Sequence, residues 1–254
     1  MNQILITEKL YITPELKRKK KIYKFNFFLS IFLVCVLISF YIYAEYDRNK
    51  SEETSLGIMD EFNNELQEDT TVAKNNVLIV VLDDSTDNTE TQESANHNNK
   101  VADTPVRNQR TIQSTSDGYK YTTIATINIP KLNLQYPILE GTTGSEAETE
   151  SLLKISPTKF WGYDPNEIGN FCIVGHNYRN TKFFSKVPTL ENGDVIEITD
   201  LSGRTLRYSI YNKYEVIPED LSCTSQLTNG KKEITLITCT DDSKMRVIVK
   251  ARAV

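Results

Sequence analysis

Hydrophobic and polar positions divide this chain into three regimes. Residues 25–44 (FNFFLSIFLVCVLISFYIYA) form an uncharged apolar run of about 20 residues, the length one helix needs to cross a bilayer core. From Asp47 to about Gly118, Asn, Asp, Glu, Thr, Ser and Lys dominate, with few aromatics and little periodicity. Such a composition buries too little apolar surface to offset chain entropy, so the segment reads as a tether. Its exception is the β-branched run at residues 77–82 (VLIVVL), expected to be weakly structured or to dock on the folded part. From Tyr119 onward, short alternating or apolar runs are separated by turn residues, the pattern of an all-β sandwich or barrel. Strands are predicted at residues 123–129, 132–139, 170–176, 195–199, 205–217, 234–239 and 246–252. Pro130 ends the first, and Pro137 marks the second as an edge or bulge. Residues 145–153 read as a short helix with a serine N-cap and early acids, and 182–187 as a helical turn. Seven or eight strands in about 135 residues make one compact β domain, and closure into a barrel is economical because it removes exposed edges.

Charge orients this layout. Lys17, Arg18, Lys19, Lys20, Lys21 and Lys24 precede the apolar run, whereas Glu45, Asp47, Glu52 and Glu53 follow it. The positive-inside rule then predicts a cytoplasmic leader (1–24), a single transmembrane anchor (25–44), a polar extracellular linker (45–118) and an extracellular β domain (119–254). A cleaved signal peptide fits less well, because the apolar stretch exceeds the usual length and its exit, SFYIYA, lacks a small-x-small site. The net charge of −5, and the lack of a basic, aromatic-studded patch beyond the leader, argue against a nucleic-acid partner.

Of four cysteines, Cys35 lies in the apolar run and Cys172, Cys223 and Cys239 in the β domain. An odd number leaves at least one thiol without an intramolecular partner. Cys172, flanked by Phe171 and Ile173, is expected to pack as a small hydrophobe. Cys223, in a polar segment, is expected to be exposed or to pair with Cys172. Cys239 differs because of its position. In ITLITCTDDSKMRVIVKARAV, antiparallel strands joined through Asp241, Asp242, Ser243 and Lys244 set Thr240 opposite Met245 and Cys239 opposite Arg246. Directly opposed residues share a face with Cβ atoms about 5 Å apart. A guanidinium beside a thiol stabilises thiolate and holds a developing oxyanion. The only histidine of the β domain, His176, stands at the end of an apolar strand in GNFCIVGHNYRN, where rigid scaffolds display catalytic groups. His97 lies in a polar stretch and reads as a solvated residue. A thiol that attacks a carbonyl and expels an amine needs one acid-base group beside it, and His176 fits that need. Taken singly, an inert buried thiol and a structural histidine are the ordinary readings; the coincidence favours chemistry.

The order histidine, cysteine, arginine, with TLITC at residues 235–239 and the GHN sequence, resembles the sortase family, whose signature is TLxTC. INIPKLNLQYPIL at the domain start and the segment around His176 are similar too. The resemblance covers about residues 119–254 and the plan of an N-terminal anchor and stalk. It implies a closed eight-stranded sortase-type barrel carrying a cysteine transpeptidase on a cell-wall-bearing bacterium. Cys239 would be the nucleophile, His176 the acid-base group and Arg246 the oxyanion and peptide ligand. Thr238 and Asn177 would lend substrate-binding or oxyanion support; a plain strand residue and a turn residue are their bland alternatives. Implied partners are exported proteins with an LPxTG-like C-terminal sorting signal and an amine acceptor, a peptidoglycan precursor or another amine. No cofactor or metal is expected, because Glu140, Glu146, Glu148, Asp194 and Asp241 show no fixed ligand spacing and read as acidic surface. The short TDDSKM connection and the single N-terminal span point to a class D-like or E-like member. An extracellular thiol peptidase passing its acyl group to water, or a non-catalytic peptide-binding β domain, are the competing functions.

Overall fold

The computed structural model describes residues 14–75 and 111–254; the run at 77–82 and His97 lie outside the described residues. The chain divides into two compact units, Met1–Lys50 and Ser51–Val254. Helix α1 (Pro14–Asn75) begins in the first unit, where Phe25, Phe28, Phe32, Leu37 and Phe40 are exposed. By length and composition it is apolar enough to cross a membrane, with a window of mean hydropathy 2.5.

The second unit is a β-barrel. Its strands are β1 (Gln113–Ser114), β2 (Lys120–Ile129), β3 (Leu134–Gly141), β4 (Thr158–Trp161), β5 (Gly169–Val174), β6 (Val195–Asp200), β7 (Thr205–Val216), β8 (Lys232–Cys239) and β9 (Arg246–Ala253). They run in the order β1-β2-β3-β4-β5-β8-β9-β7-β6, and β2 pairs with β6, with Ala125 opposite Asp200 and Ile127 opposite Ile198. That pairing closes β2 to β9 into an eight-stranded barrel, and the two-residue β1 adds to the side of β2. Two strands are absent from the sequence reading, β1 and β4: two and four residues are too short to show alternation, and β4 is joined to β3 by the single parallel bridge Leu139–Thr158. The expected helix is α2 (Glu146–Leu153), capped by Ser145, whose hydroxyl accepts from the Glu148 N–H. The helical turn expected at 182–187 falls later, as a 3-10 turn at Val187–Thr189 with Pro188 in its first positions.

Alternation along the strands sorts the residues between two faces. Phe171 and Ile173 of β5, Ile234 and Leu236 of β8, and Val247, Val249 and Ala251 of β9 join Ile127, Ile138 and Ile198 in the barrel core. The intervening positions point outward, and there Cys172, Ile237 and Ile248 form a second apolar cluster, covered by Cys223 from the β7–β8 connection. That connection is pinned by Asn170, whose amide donates to the carbonyls of Cys223 (2.9 Å) and Ser225 (3.1 Å), while its backbone exchanges hydrogen bonds with the Gln226 side chain.

The tether reading does not hold for residues 51–66. Ser55, Ile58, Met59 and Phe62 of α1 are buried, the i, i+3, i+4, i+7 spacing of one helical face. Ile58 packs with Tyr121, Leu139 and Leu152 against the outside of the barrel. The Ser156 hydroxyl donates to the Pro137 carbonyl, so its 3.0 Å bond with Ser55 has Ser55 as donor. Glu61 and Glu65 accept from Gln113 (2.6 Å) and Thr111 (2.8 Å). Composition averaged over a long polar stretch concealed one amphipathic segment about four turns long.

Candidate active site

The C-terminal hairpin has the register that its sequence predicts. Cys239 ends β8 directly opposite Arg246 at the start of β9. Thr240 donates its N–H to the Met245 carbonyl (3.0 Å), and the Met245 N–H reaches the Thr240 hydroxyl (3.1 Å). Asp242 takes the Thr240 hydroxyl (2.6 Å) and the Lys244 N–H (3.1 Å), and Ser243 turns the chain with φ 61°. Closing the strands this tightly leaves the two side chains on the outward face, where Arg246 Nη1 donates to Cys239 Sγ at 3.2 Å.

The histidine arrives from the neighbouring strand. β5 and β8 are parallel, with Cys172 beside Thr235 and Val174 beside Ile237. The pairing continues past the strand end through the Gly175 N–H to the Ile237 carbonyl (3.1 Å). Extending this register sets His176 beside Cys239 on the same face, with adjacent strands about 4.8 Å apart. Gly175 is required there for space: a Cβ would lie 2.5 Å from the ring of Phe184, which is fully buried. Burial holds the His176 imidazole below its ordinary value; Glu150 pulls it upward and Lys154 downward by smaller amounts.

Thr238 and Asn177 fasten these two strand ends together. Thr238 points away from Cys239, is 1% exposed, and donates its hydroxyl to the Gly175 carbonyl at 2.8 Å. A direct side-chain contact with substrate is therefore closed to it, contrary to the sequence expectation, because alternation places neighbours on opposite faces. Asn177 donates to the Cys239 carbonyl and to Asp241 (both 3.0 Å), and its oxygen accepts from the Arg179 N–H (2.9 Å). It bridges the histidine loop to the backbone of the cysteine itself.

The remaining thiols have other surroundings. Cys172 is fully buried, and burial above all pushes it up to about 12, with Cys223 adding to the rise and Lys250 opposing it. Cys223 is also buried and raised, and both are free thiols, so neither the exposed nor the paired reading of Cys223 holds.

A groove of about 750 Å³ reaches Arg246. Val174, Ile237 and Ile248 line its apolar part, Phe160, Trp161 and Tyr163 come from β4 and the following turn, and Leu221 from the β7–β8 connection. Trp161 is 61% exposed and Tyr163 56%, large apolar surfaces left open on the outside of the barrel. Glu148 shapes the adjoining loop, accepting the N–H groups of Thr142, Thr143 and Gly144 at 2.7–3.2 Å. Those hydrogen bonds hold its carboxyl below the ordinary value against the opposing effect of burial, the largest single influence. The sequence reading missed the groove aromatics, since their strand was too short to register; the open WGY at 161–163 was the available signal.

Residues 127–254 match the family model described as the sortase domain. The chain is 31% identical over 132 residues to sortase A of Bacillus anthracis, covering 49% of this chain and 57% of that protein. To sortase D of Bacillus subtilis it is 32% identical over 113 residues, 44% of this chain and 52% of that one. It spans about half the length of these curated relatives. Among solved structures, a sortase D5 transpeptidase of Clostridium perfringens is 32% identical, with TM-score 0.45, covering 52% of this chain and 79% of that one. With its family match extending over half of the chain, this protein belongs to the sortase family.

Proposed function

We propose that the protein is a membrane-anchored cysteine transpeptidase that cleaves an LPxTG-like C-terminal sorting signal and joins the exported protein to a cell-wall amine. The observation that carries this reading is the 3.2 Å contact of Arg246 with Cys239 on the outward face, at a partly apolar groove of about 750 Å³ that reaches Arg246. His176 takes the proton of the Cys239 thiol as the sulfur attacks the carbonyl carbon of the signal, and the C=O electrons move onto oxygen. Arg246 donates to that oxygen as charge develops, an interaction stronger in the transition state than before it. The intermediate collapses with loss of the C–N bond; His176 protonates the departing amine, and the acyl group remains on Cys239 as a thioester. An incoming amine displaces the sulfur and gives its proton to His176, which returns one to the thiolate. The net change exchanges one amide for another and consumes no redox equivalent or external energy.

Thr238 and Asn177 serve this chemistry by position, holding the histidine strand against the cysteine strand. The apolar run of α1 anchors the enzyme, the leader faces the cytoplasm, and the barrel works outside, where secreted substrates and wall precursors meet. The groove's open aromatics receive the apolar residues of the signal. Within the class D-like or E-like reading, the relative named sortase D and the short Cys239–Arg246 connection support the class D-like side.

The test is incubation of the purified protein with an LPxTG-type peptide library and an added amine, followed by mass spectrometry of peptide and enzyme. A thioester on Cys239 and amine-dependent ligation are expected. Hydrolysed peptide alone at every amine concentration makes it a thiol peptidase, and peptide binding without any acyl-enzyme makes it a binding domain.

A further inference from the structure

Residues 51–66 of α1 lie on the barrel and reach the loop that follows His176. Glu52 Oε2 pairs with Lys182 Nζ at 2.6 Å, with the Lys182 side chain 14% exposed and that of Glu52 32%. The other Glu52 oxygen is 3.5 Å from the Tyr136 hydroxyl, which donates toward it and accepts the Phe183 N–H at 3.2 Å. From Tyr136 a run of rings leads to the histidine. Tyr136 stacks on Phe183 at 5.0 Å and 1°, Phe183 meets Tyr178 edge-on at 5.4 Å, and Tyr178 lies 5.1 Å from the His176 ring. Backbone contacts lock the same path: Phe183 bridges to Asn177, and the Phe184 N–H donates to the His176 carbonyl at 3.1 Å. Phe183 holds a positive φ of 48°, a conformation that a bulky residue adopts only when its surroundings impose it.

We propose that Glu52 is a positioning residue for the transfer reaction, holding the Lys182–Phe183 segment so that the ring run keeps the His176 imidazole aimed at the leaving and entering amines. This inference rests on the role given to His176 above. Glu52 touches neither substrate nor reacting atoms; it acts through Lys182 and Tyr136. Three features make it a fixed post. Ser55, Ile58, Met59 and Phe62 bury the next turns of the same helix. Ser55 is bonded to Ser156, and Glu61 to Gln113. The ion pair is also partly shielded, so it retains more directional strength than a surface pair. The polar segment before the barrel is thereby part of the catalytic apparatus as well as a spacer.

The experiment uses the full chain in detergent micelles, with a signal peptide and an added amine. Glu52→Gln is expected to lower kcat about tenfold while KM for the peptide moves under about twofold, because a misaimed acid-base group slows transfer without weakening groove binding. The exposed neighbour substitution Glu53→Gln is expected to leave both constants unchanged. The double exchange Glu52→Lys with Lys182→Glu restores the pair in reverse and is expected to recover most of the lost kcat. The chain holds two histidines, so ¹⁵N-histidine labelling gives two imidazole signal sets, assigned with His97→Gln. The His176 set is expected to shift or broaden in Glu52→Gln and to return in the double exchange. Wild-type kcat and His176 signals in a folded Glu52→Gln would overturn the proposal, as would a folded double exchange no faster than Glu52→Gln. Should Glu52→Gln fail to fold, the double exchange decides alone, supporting the proposal if folded and active and overturning it if folded and inactive. His176→Ala separates the two readings: if it retains full transfer, the acid-base assignment has failed; if it is inactive while Glu52→Gln is normal, only the positioning role has.

Discussion

Cys239 and Cys172 lie on adjacent strands and the same outward face of the barrel, yet their surroundings give them different chemistry. Cys172 is mid-strand, roofed by the β7–β8 connection and without exposed area, and burial raises its thiol to about 12. Cys239 is at a strand end, partly open, with Arg246 3.2 Å from its sulfur and the histidine strand alongside. Burial disfavours a thiolate at Cys172 by more than Lys250 offsets; a partly open strand end leaves the Cys239 sulfur accessible beside a guanidinium. The contrast comes from where along β5 and β8 each cysteine sits, since the strands themselves are equally regular.

The comparison breaks most visibly if the wrong sulfur is removed. Cys239→Ala is expected to abolish the acyl-enzyme and lower turnover by at least about a thousandfold, as loss of a nucleophile does elsewhere. Cys172→Ala should keep turnover and cost about 1 kcal/mol of stability through lost packing. Peptide ligation and denaturant unfolding check the two arms, and iodoacetamide should label Cys239 in the native protein but Cys172 only after unfolding. Next in size is Arg246→Lys. It keeps the charge and loses the planar fork, and about a hundredfold loss of kcat/KM is expected; near-normal turnover would reduce Arg246 to a general positive charge.

A smaller effect tests the histidine side. Gly175→Ala drives a methyl to 2.5 Å from the Phe184 ring, which has no free space to move into. A stability loss of about 1–3 kcal/mol is expected from overpacking, with kcat reduced about tenfold as the next residue, His176, is displaced. The smallest effect is in pH dependence. Burial lowers the folded value of His176 below the ordinary 6.5, so between the two values the unfolded chain binds more protons and stability rises with pH. That stability is present above about pH 6.5 and is lost as pH falls through the folded value. The fall in Tm between about pH 7.5 and pH 5.5 should therefore be shallower in His176→Gln than in the parent. An equal fall would mean that the imidazole is as well solvated when folded as when unfolded.

Legibility followed periodicity. The hairpin of β8 and β9 was readable to the register of single residues, because an apolar run, a polar turn and a second apolar run leave one economical pairing. The serine-capped helix α2 was readable for the same local reason. β4 was not, as four residues cannot display a period, and the docked stripe of residues 55–62 was hidden within a long polar average. Thr238 shows a subtler limit. Its place beside Cys239 in TLITC suggested a shared site, whereas strand alternation turned it inward to the Gly175 carbonyl.

By itself the order of residues determined the β class, the apolar run of α1, the Cys239–Arg246 pairing and the family. Each depends on local spacing or on a short motif, and local spacing survives without knowledge of the fold. Only the tertiary structure decided that β5 lies parallel to β8, which lays the strand leading to His176 alongside the strand ending in Cys239. It alone decided that Cys172 is fully buried, that the groove is walled by β4 aromatics, and that Glu52 reaches Lys182. Those facts are long-range: they arise when barrel closure and burial select neighbours that no sequence window contains, and the chemistry of a side chain is set by its neighbours.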